Sequence, residues 1–255
     1  MGKPDIAVNQ MLMRKERFAD LMNGSLYGGR QVLSAGDLEM APNQPGVFYE
    51  AENEKKIALE RRGDVRMRAE LGTYRVILAN ELQNKVHLAM PVRDMLYDAL
   101  EYVRQIQDME KKHKEEGEKL EGDGFLSGIS KKDRLTPVIT TVLYFGPEWD
   151  GVEGLYEMMG LVDRGDMDEL KKYLPDYHVN PIDANHINDV KLFRSCLQHI
   201  FSMVKLRKDK KGLYKYLKDH KKDMQKMDSV ERMAAWVLSG ERKRMAKFLN
   251  EREGG

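Results

Sequence analysis

The sequence predicts an α/β fold, and three observations predict it. An alternating stretch and an apolar run flank a turn glycine near Gly72, the pattern of a β-hairpin. Pro91 opens a long amphipathic helical pattern. Pro137-Val138-Ile139-Thr140-Thr141-Val142-Leu143-Tyr144-Phe145 is the clearest strand in the chain and is stopped by Gly146-Pro147. Taken with a first helix, the order is αββαβ, followed by a long stretch of helical character.

Each element has its own signal. Phe18, Leu21, Met22 and Leu26 recur at helical spacing, so residues 8 to 28 read as a helix stopped by Gly28-Gly29. Residues 41 to 48 hold two prolines and a glycine and read as loop. The hairpin is expected over about 57 to 83. In its first strand Val65, Met67 and Ala69 share one face, and Asp64, Arg66 and Arg68 the other. The second strand, Tyr74 to Leu82, holds the run Val76-Ile77-Leu78-Ala79, as expected of a strand buried on both faces. The third element is a helix from Pro91 whose predicted buried stripe is Met95, Leu96, Ala99, Leu100, Val103 and Ile106. Asp108 to Asp123 carries seven acids against four bases and reads as a solvated helix end and loop. After Asp163 the pattern is helical apart from a loop over Asp176 to Asp183. The expected organisation is therefore a core over 1–162 and a helical, partly basic region over 163–255.

Composition bounds the function. The chain has 255 residues with 43 basic and 42 acidic side chains, so global charge points to no nucleic-acid partner and only local patches could. No apolar run approaches the ~20 residues needed to span a bilayer, and the N-terminus lacks a signal-peptide core. The lone Cys196 rules out an internal disulfide and any cysteine-based zinc site. The expectation is a cytoplasmic protein with no membrane partner. Between Lys205 and Lys226 there are ten Lys or Arg against three Asp, with Tyr214 and Tyr216 interleaved. This run reads either as a surface that tracks a phosphate backbone or as the solvated face of a helix.

The chemistry-bearing pattern is an acid pair. In an antiparallel hairpin, residues that face each other have numbers with a constant sum. For Asp64 and Glu81 that sum centres the turn between Gly72 and Thr73, where the turn glycine stands. Gln83 lies two residues beyond Glu81 and so points to the same face. Like charges directly opposite are destabilising, so the pair calls for a cation, a shared proton or another reason. Two close carboxylates with a polar neighbour suit a hard cation.

The αββαβ order, with an acid on the first hairpin strand and Glu-x-Gln on the second, resembles the core of the PD-(D/E)xK nuclease superfamily. Longer blocks are similar to the Rpn-type recombination-promoting nucleases, often labelled transposases, of bacteria. These blocks are Phe18-Ala19-Asp20-Leu21-Met22-Asn23-Gly24, Arg62-Gly63-Asp64, Tyr74-Arg75-Val76-Ile77-Leu78, Glu81-Leu82-Gln83, Ala89 to Leu100, Phe125-Leu126-Ser127-Gly128, Pro137-Val138-Ile139-Thr140 and Gly146 to Gly151. The resemblance covers roughly residues 14 to 160 and implies a restriction-endonuclease-like core with a helical C-terminal region. It implies a Mg²⁺-dependent DNA endonuclease, with Mn²⁺ as a substitute metal, linked to recombination or transposition. Asp64 and Glu81 would be metal ligands, helped by the backbone carbonyl of Leu82. Gln83 would stand in the catalytic position that a lysine fills in many relatives. Arg93 and Tyr97 would face the site or the phosphate. DNA would be the partner, and cleavage of both strands would suit a homodimer. Ala79-Asn80 departs from the pattern, where Gly and an apolar residue are expected.

Overall fold

The computed structural model describes residues 3–41, 46–50, 55–59, 65–117, 122, 124 and 127–240. The chain opens with helices α1 (Lys3–Leu12) and α2 (Lys15–Leu26) and reaches β1 (Leu38–Met40) through a 3₁₀ turn. Strands β2 (Gly46–Glu50) and β3 (Lys55–Leu59) pair with each other as a separate ribbon. Then come β4 (Val65–Leu71), β5 (Tyr74–Gln83), α3 (Met90–Glu115) and β6 (Val138–Tyr144). Short helices α4 (Leu155–Met158) and α5 (Asp168–Lys171) precede β7 (Asn180–Asp183). The chain continues as α6 (Cys196–Leu206), α7 (Lys210–Asp219), α8 (Lys221–Lys226) and α9 (Ser229–Ser239).

The result is an α/β protein with a five-stranded mixed sheet in the order β1-β4-β5-β6-β7. β1 and β5 run antiparallel to β4, whereas β5-β6 and β6-β7 are parallel. The parallel step from β5 to β6 needs a long crossover, which α3 supplies. The β4-β5 register runs from Leu71↔Tyr74 to Val65↔Asn80, every pair keeping the same sum. Its two-residue turn is Gly72-Thr73, with Gly72 at φ 62°. Tight hairpin turns put their first central residue at positive φ, which glycine adopts at no steric cost.

One face of the sheet, through Val65, Met67, Ala69, Val76, Leu78, Leu143 and Ile182, joins a single large apolar core with α1, α2, α6, α7 and α9. Residues on both sides of position 162 share this core, because Ile182, Leu197, Phe201 and Leu238 lie in the same cluster as Val8 and Phe18. Ionic contacts pin the N-terminal helices to α9: Arg17 Nη2 lies 2.6 Å from the buried Glu231, and Arg14 pairs with Asp228. Burial together with the Glu231 charge pushes the Cys196 thiol up to about 12. Asp20 and Asn23 act as structural ties. Asp20 accepts from the backbone of Arg194 and Ser195, and Asn23 closes the segment at Val32 and Leu33.

Four expectations need correction. The helix expected over 8 to 28 is two helices, broken at Arg14, whose backbone is extended. Among the described residues the hairpin runs over 65–83, and residues 55–59 pair with β2 instead. The loop expected over Asp176 to Asp183 contains β7, an edge strand of four residues whose proline is tolerated because one side of its ladder is open. The largest correction concerns α3. Its sheet-facing stripe is Asp94, Asp98, Glu101 and Gln105, all buried; of the expected apolar stripe Leu100 is buried, whereas Leu96 and Val103 are 37% and 39% exposed. Two stripes of similar spacing run along this helix, and the polar one faces the sheet.

Candidate functional site

β5 is the central strand, and it is buried from Val76 to Glu81. Alternation sends Val76, Leu78 and Asn80 to the large core, and Ile77, Ala79, Glu81 and Gln83 to the face beneath α3. Most of what this second face meets is polar. Arg66 on β4 donates from Nη2 to Glu101 Oε2 at 2.6 Å, with Arg104 on the same carboxylate. Asp98 accepts from the hydroxyls of Thr140 and Tyr177, each at 2.7 Å. Gln105 bonds both backbone groups of Thr136 and so fixes the entry into β6. Burial opposes ionisation of Glu101, but hydrogen bonds and charge from Arg104 and Arg66 outweigh it and hold this carboxyl below the usual range.

At the carboxyl end of β5 this polar seam reaches Glu81, which is 2% exposed. Glu81 Oε1 accepts from Gln83 Nε2 at 2.5 Å and lies 2.6 Å from Arg93 Nη2. Arg93 comes from the first turn of α3, started by Pro91, and its guanidinium carbon sits 5.6 Å from the Tyr97 ring centroid. Four of the residues singled out in the sequence, Glu81, Gln83, Arg93 and Tyr97, are thus gathered at one place. Leu82 lies within the β5-β6 ladder opposite Leu143 and turns its side chain to the large core. Asp64 lies outside the described residues; the last pair before it in the β4-β5 register is Val65↔Asn80.

Comparison with protein-family models, with curated proteins and with solved structures finds no match.

The arrangement defines what the site can do. A carboxylate this deeply buried needs positive charge beside it, and Arg93 supplies it. Among the described residues no group of three or more His, Cys, Asp or Glu is placed to hold a metal ion. Of the two acids expected as metal ligands, Glu81 is the described one, and its Oε1 is shared by Gln83 and Arg93. Glu81 suits a hard cation by chemistry and burial, on the condition that the Arg93 guanidinium moves aside.

Sequence reasoning missed Asp94, Asp98 and Glu101 as members of this seam. The signal was present: with Gln105 they fall at i, i+4, i+7 and i+11, one helical face. The neighbouring apolar stripe has the same spacing and masked it. Elsewhere, Trp149 packs edge-on against Tyr144 with ring centroids 5.1 Å apart, an anchor beside Met90 and Val142. His87 is exposed.

Proposed function

We propose that the chain is a metal-dependent DNA endonuclease with a restriction-endonuclease-like core, acting in recombination or transposition. The observation that carries this reading is Glu81: a buried carboxylate ending a central strand, with Gln83 and Arg93 on one of its oxygens. The described β4-β5 register, which keeps one sum from Leu71↔Tyr74 to Val65↔Asn80, agrees with the turn position from which the sequence reading sets Asp64 opposite Glu81. Glu81, Asp64 and the Leu82 carbonyl would hold Mg²⁺ or Mn²⁺. Such an ion neutralises phosphate charge and makes a bound water acidic. Gln83 has no titratable group at neutral pH, so its part is to orient a water through its amide. Arg93, released from Glu81, keeps a fixed charge and a planar fork that suits a phosphate, with Tyr97 supporting its stem.

The Glu81–Arg93 pair favours a second reading as well, a DNA-binding or assembly protein of the same fold in which the pair is permanent and no metal enters. One experiment separates the two. Melting temperature is measured with and without Mn²⁺ for the wild type, Arg93→Gln and Glu81→Ala, beside plasmid cleavage at low salt. The nuclease reading expects a metal-dependent rise in the wild type, a larger rise in Arg93→Gln, none in Glu81→Ala, and cleavage lost with Glu81. A wild type that neither shifts with metal nor cleaves refutes it.

A further inference from the structure

The basic run after α6 is distributed unevenly. Lys205 to Lys226 holds ten basic and three acidic residues, leaving 33 basic against 39 acidic in the rest of the chain. On α3 and α5 the lysines are paired along the helix: Lys111, Lys112 and Lys114 with Glu115, Glu116 and Glu110, and Lys171 and Lys172 with Asp168 and Glu169. That lacing is what an ordinary solvated face shows. On α7 it is missing. Lys210, Lys211, Lys215 and Lys218, with Lys208 before the helix and Lys222 after it, make no ion pair among the described residues, whereas Lys226 on α8 pairs with Asp223; Asp209 is engaged as the N-cap of α7.

The geometry of α7 keeps these charges together. Leu213 and Leu217 are buried against the core. At about 100° per residue, Lys210, Lys211, Tyr214, Lys215 and Lys218 fall within an arc of roughly 140° that begins beside Leu217, and all five are exposed. Tyr214 is 63% exposed. The start of α7 is also tied to the end of the sheet that carries Glu81. Arg207 donates to the carbonyls of Phe145 and Gly146, and Phe145 N donates to Gln83 O at 3.1 Å.

We propose that the exposed face of α7 and the turn into α8 form a track for the phosphate backbone of nucleic acid, leading to the rim of β5 and β6. Unpaired, evenly spaced lysines suit a line of phosphates. An exposed Tyr among them suits a sugar or an unpaired base. A membrane surface fits less well, because a helix lying in a bilayer interface inserts a broad apolar face and the apolar residues of α7 are already buried.

The test is fluorescence anisotropy of the full chain with a labelled duplex and a single strand across about 50–200 mM salt. Chelator is present throughout, so the outcome does not depend on metal binding at Glu81. Lys211→Gln/Lys215→Gln/Lys218→Gln is compared with Lys111→Gln/Lys112→Gln/Lys114→Gln, which removes equal charge from the paired end of α3. The proposal expects the α7 variant to bind duplex at least tenfold more weakly at low salt. The slope of log K against log salt should flatten by roughly 2–3, at about 0.9 for each lost phosphate contact, while the α3 variant stays near wild type. Equal slopes for wild type and the α7 variant overturn it, and so do equal losses in both variants. Binding to phosphatidylserine vesicles without binding to either nucleic acid overturns it in favour of a membrane.

Discussion

Replacing Glu101 by Gln removes the charge that holds the middle of α3 to the sheet, and the structure sets the size of the effect. Glu101 is 3% exposed and Arg66, on β4, is 7% exposed. Their closest atoms are 2.6 Å apart, which puts the charge centres about 4 Å apart and is worth about 4 kcal/mol at an effective dielectric of 20. Leaving one partner of a buried pair uncompensated costs a similar 3–5 kcal/mol. Glu101→Gln is therefore expected to destabilise by about 3–5 kcal/mol. Arg66→Met should cost less, about 1.5–3 kcal/mol, because Arg104 still bonds Glu101. Arg66→Met/Glu101→Leu replaces the pair by apolar volume and should recover most of the loss, Arg104 keeping its contact with Asp108. The pH dependence has a definite sign. The folded-state pKa of Glu101 is depressed, so its contribution is complete above the unfolded value of about 4.3 and is lost as pH falls through the folded value. The gap between wild type and Glu101→Gln should be constant near neutrality and close on acidification. Urea denaturation followed by circular dichroism at several pH values measures all of this. A cost below about 1 kcal/mol for Glu101→Gln, the range of a solvated pair, would refute a dry polar seam between α3 and the sheet.

Two further substitutions probe the opposite face. A Cβ at Gly24 would stand 2.3 Å from the Phe193 ring, and that ring is buried. Gly24→Ala should therefore destabilise, the overpacking cost of about 1–3 kcal/mol exceeding the helix-propensity gain of about 1 kcal/mol; a raised melting temperature would contradict this. Asn80 is fully buried, and its Nδ2 has no hydrogen-bond partner among the described residues. Thr141 Oγ1 also bonds Ala79 O and would keep that acceptor. Asn80→Leu should leave stability unchanged or raise it by about 1–2 kcal/mol, since an unsatisfied buried donor costs that order of free energy; a clear loss in thermal denaturation would show that Asn80 has a role the geometry does not reveal.

Elements whose signal is local were legible in the sequence. The turn at Gly72-Thr73 follows from one glycine, the β4-β5 register from arithmetic about that turn, and the strand at 138–144 from its β-branched run. β7 was not legible, because Asn180-Pro181-Ile182-Asp183 is too short for any period and belongs to the sheet only through β6. The break at Arg14 was hidden because apolar spacing continues across it. The seam of α3 failed for a different reason. A hydrophobic pattern identifies the buried face of a helix only when the opposing surface is apolar. Here that surface offers Arg66, Thr140 and the Tyr177 hydroxyl, so the acids face inward and Leu96 and Val103 face outward. That Gln83 would share a face with Glu81 was legible from two-residue spacing on a strand, whereas the place of Arg93 and Tyr97 beside them was given only by what the family resemblance implies. The sequence held no sign that Arg93 would sit on the Glu81 carboxylate itself.

That contact links the site to the seam. Arg93, Asp98 and Glu101 belong to one helix, and Glu81, Thr140 and Arg66, which they contact, belong to one sheet. Moving Arg93 away from Glu81 need not move α3, because the guanidinium is at the end of a long side chain while Asp98 and Glu101 anchor the helix at the following turns. The polar seam thus lets the charge beside Glu81 change while the backbone that presents Glu81 and Gln83 stays fixed. An apolar interface would also hold the helix, but it would leave the Glu81 carboxylate buried among groups that cannot stabilise it. If Glu81 binds metal as proposed and the Glu101 charge acts only by holding α3 to the sheet, Glu101→Gln should alter that binding only through loss of folded protein. At temperatures well below melting, its Mn²⁺ affinity should equal that of the wild type. A changed affinity in fully folded Glu101→Gln would mean that the charge at Glu101 reaches Glu81 directly.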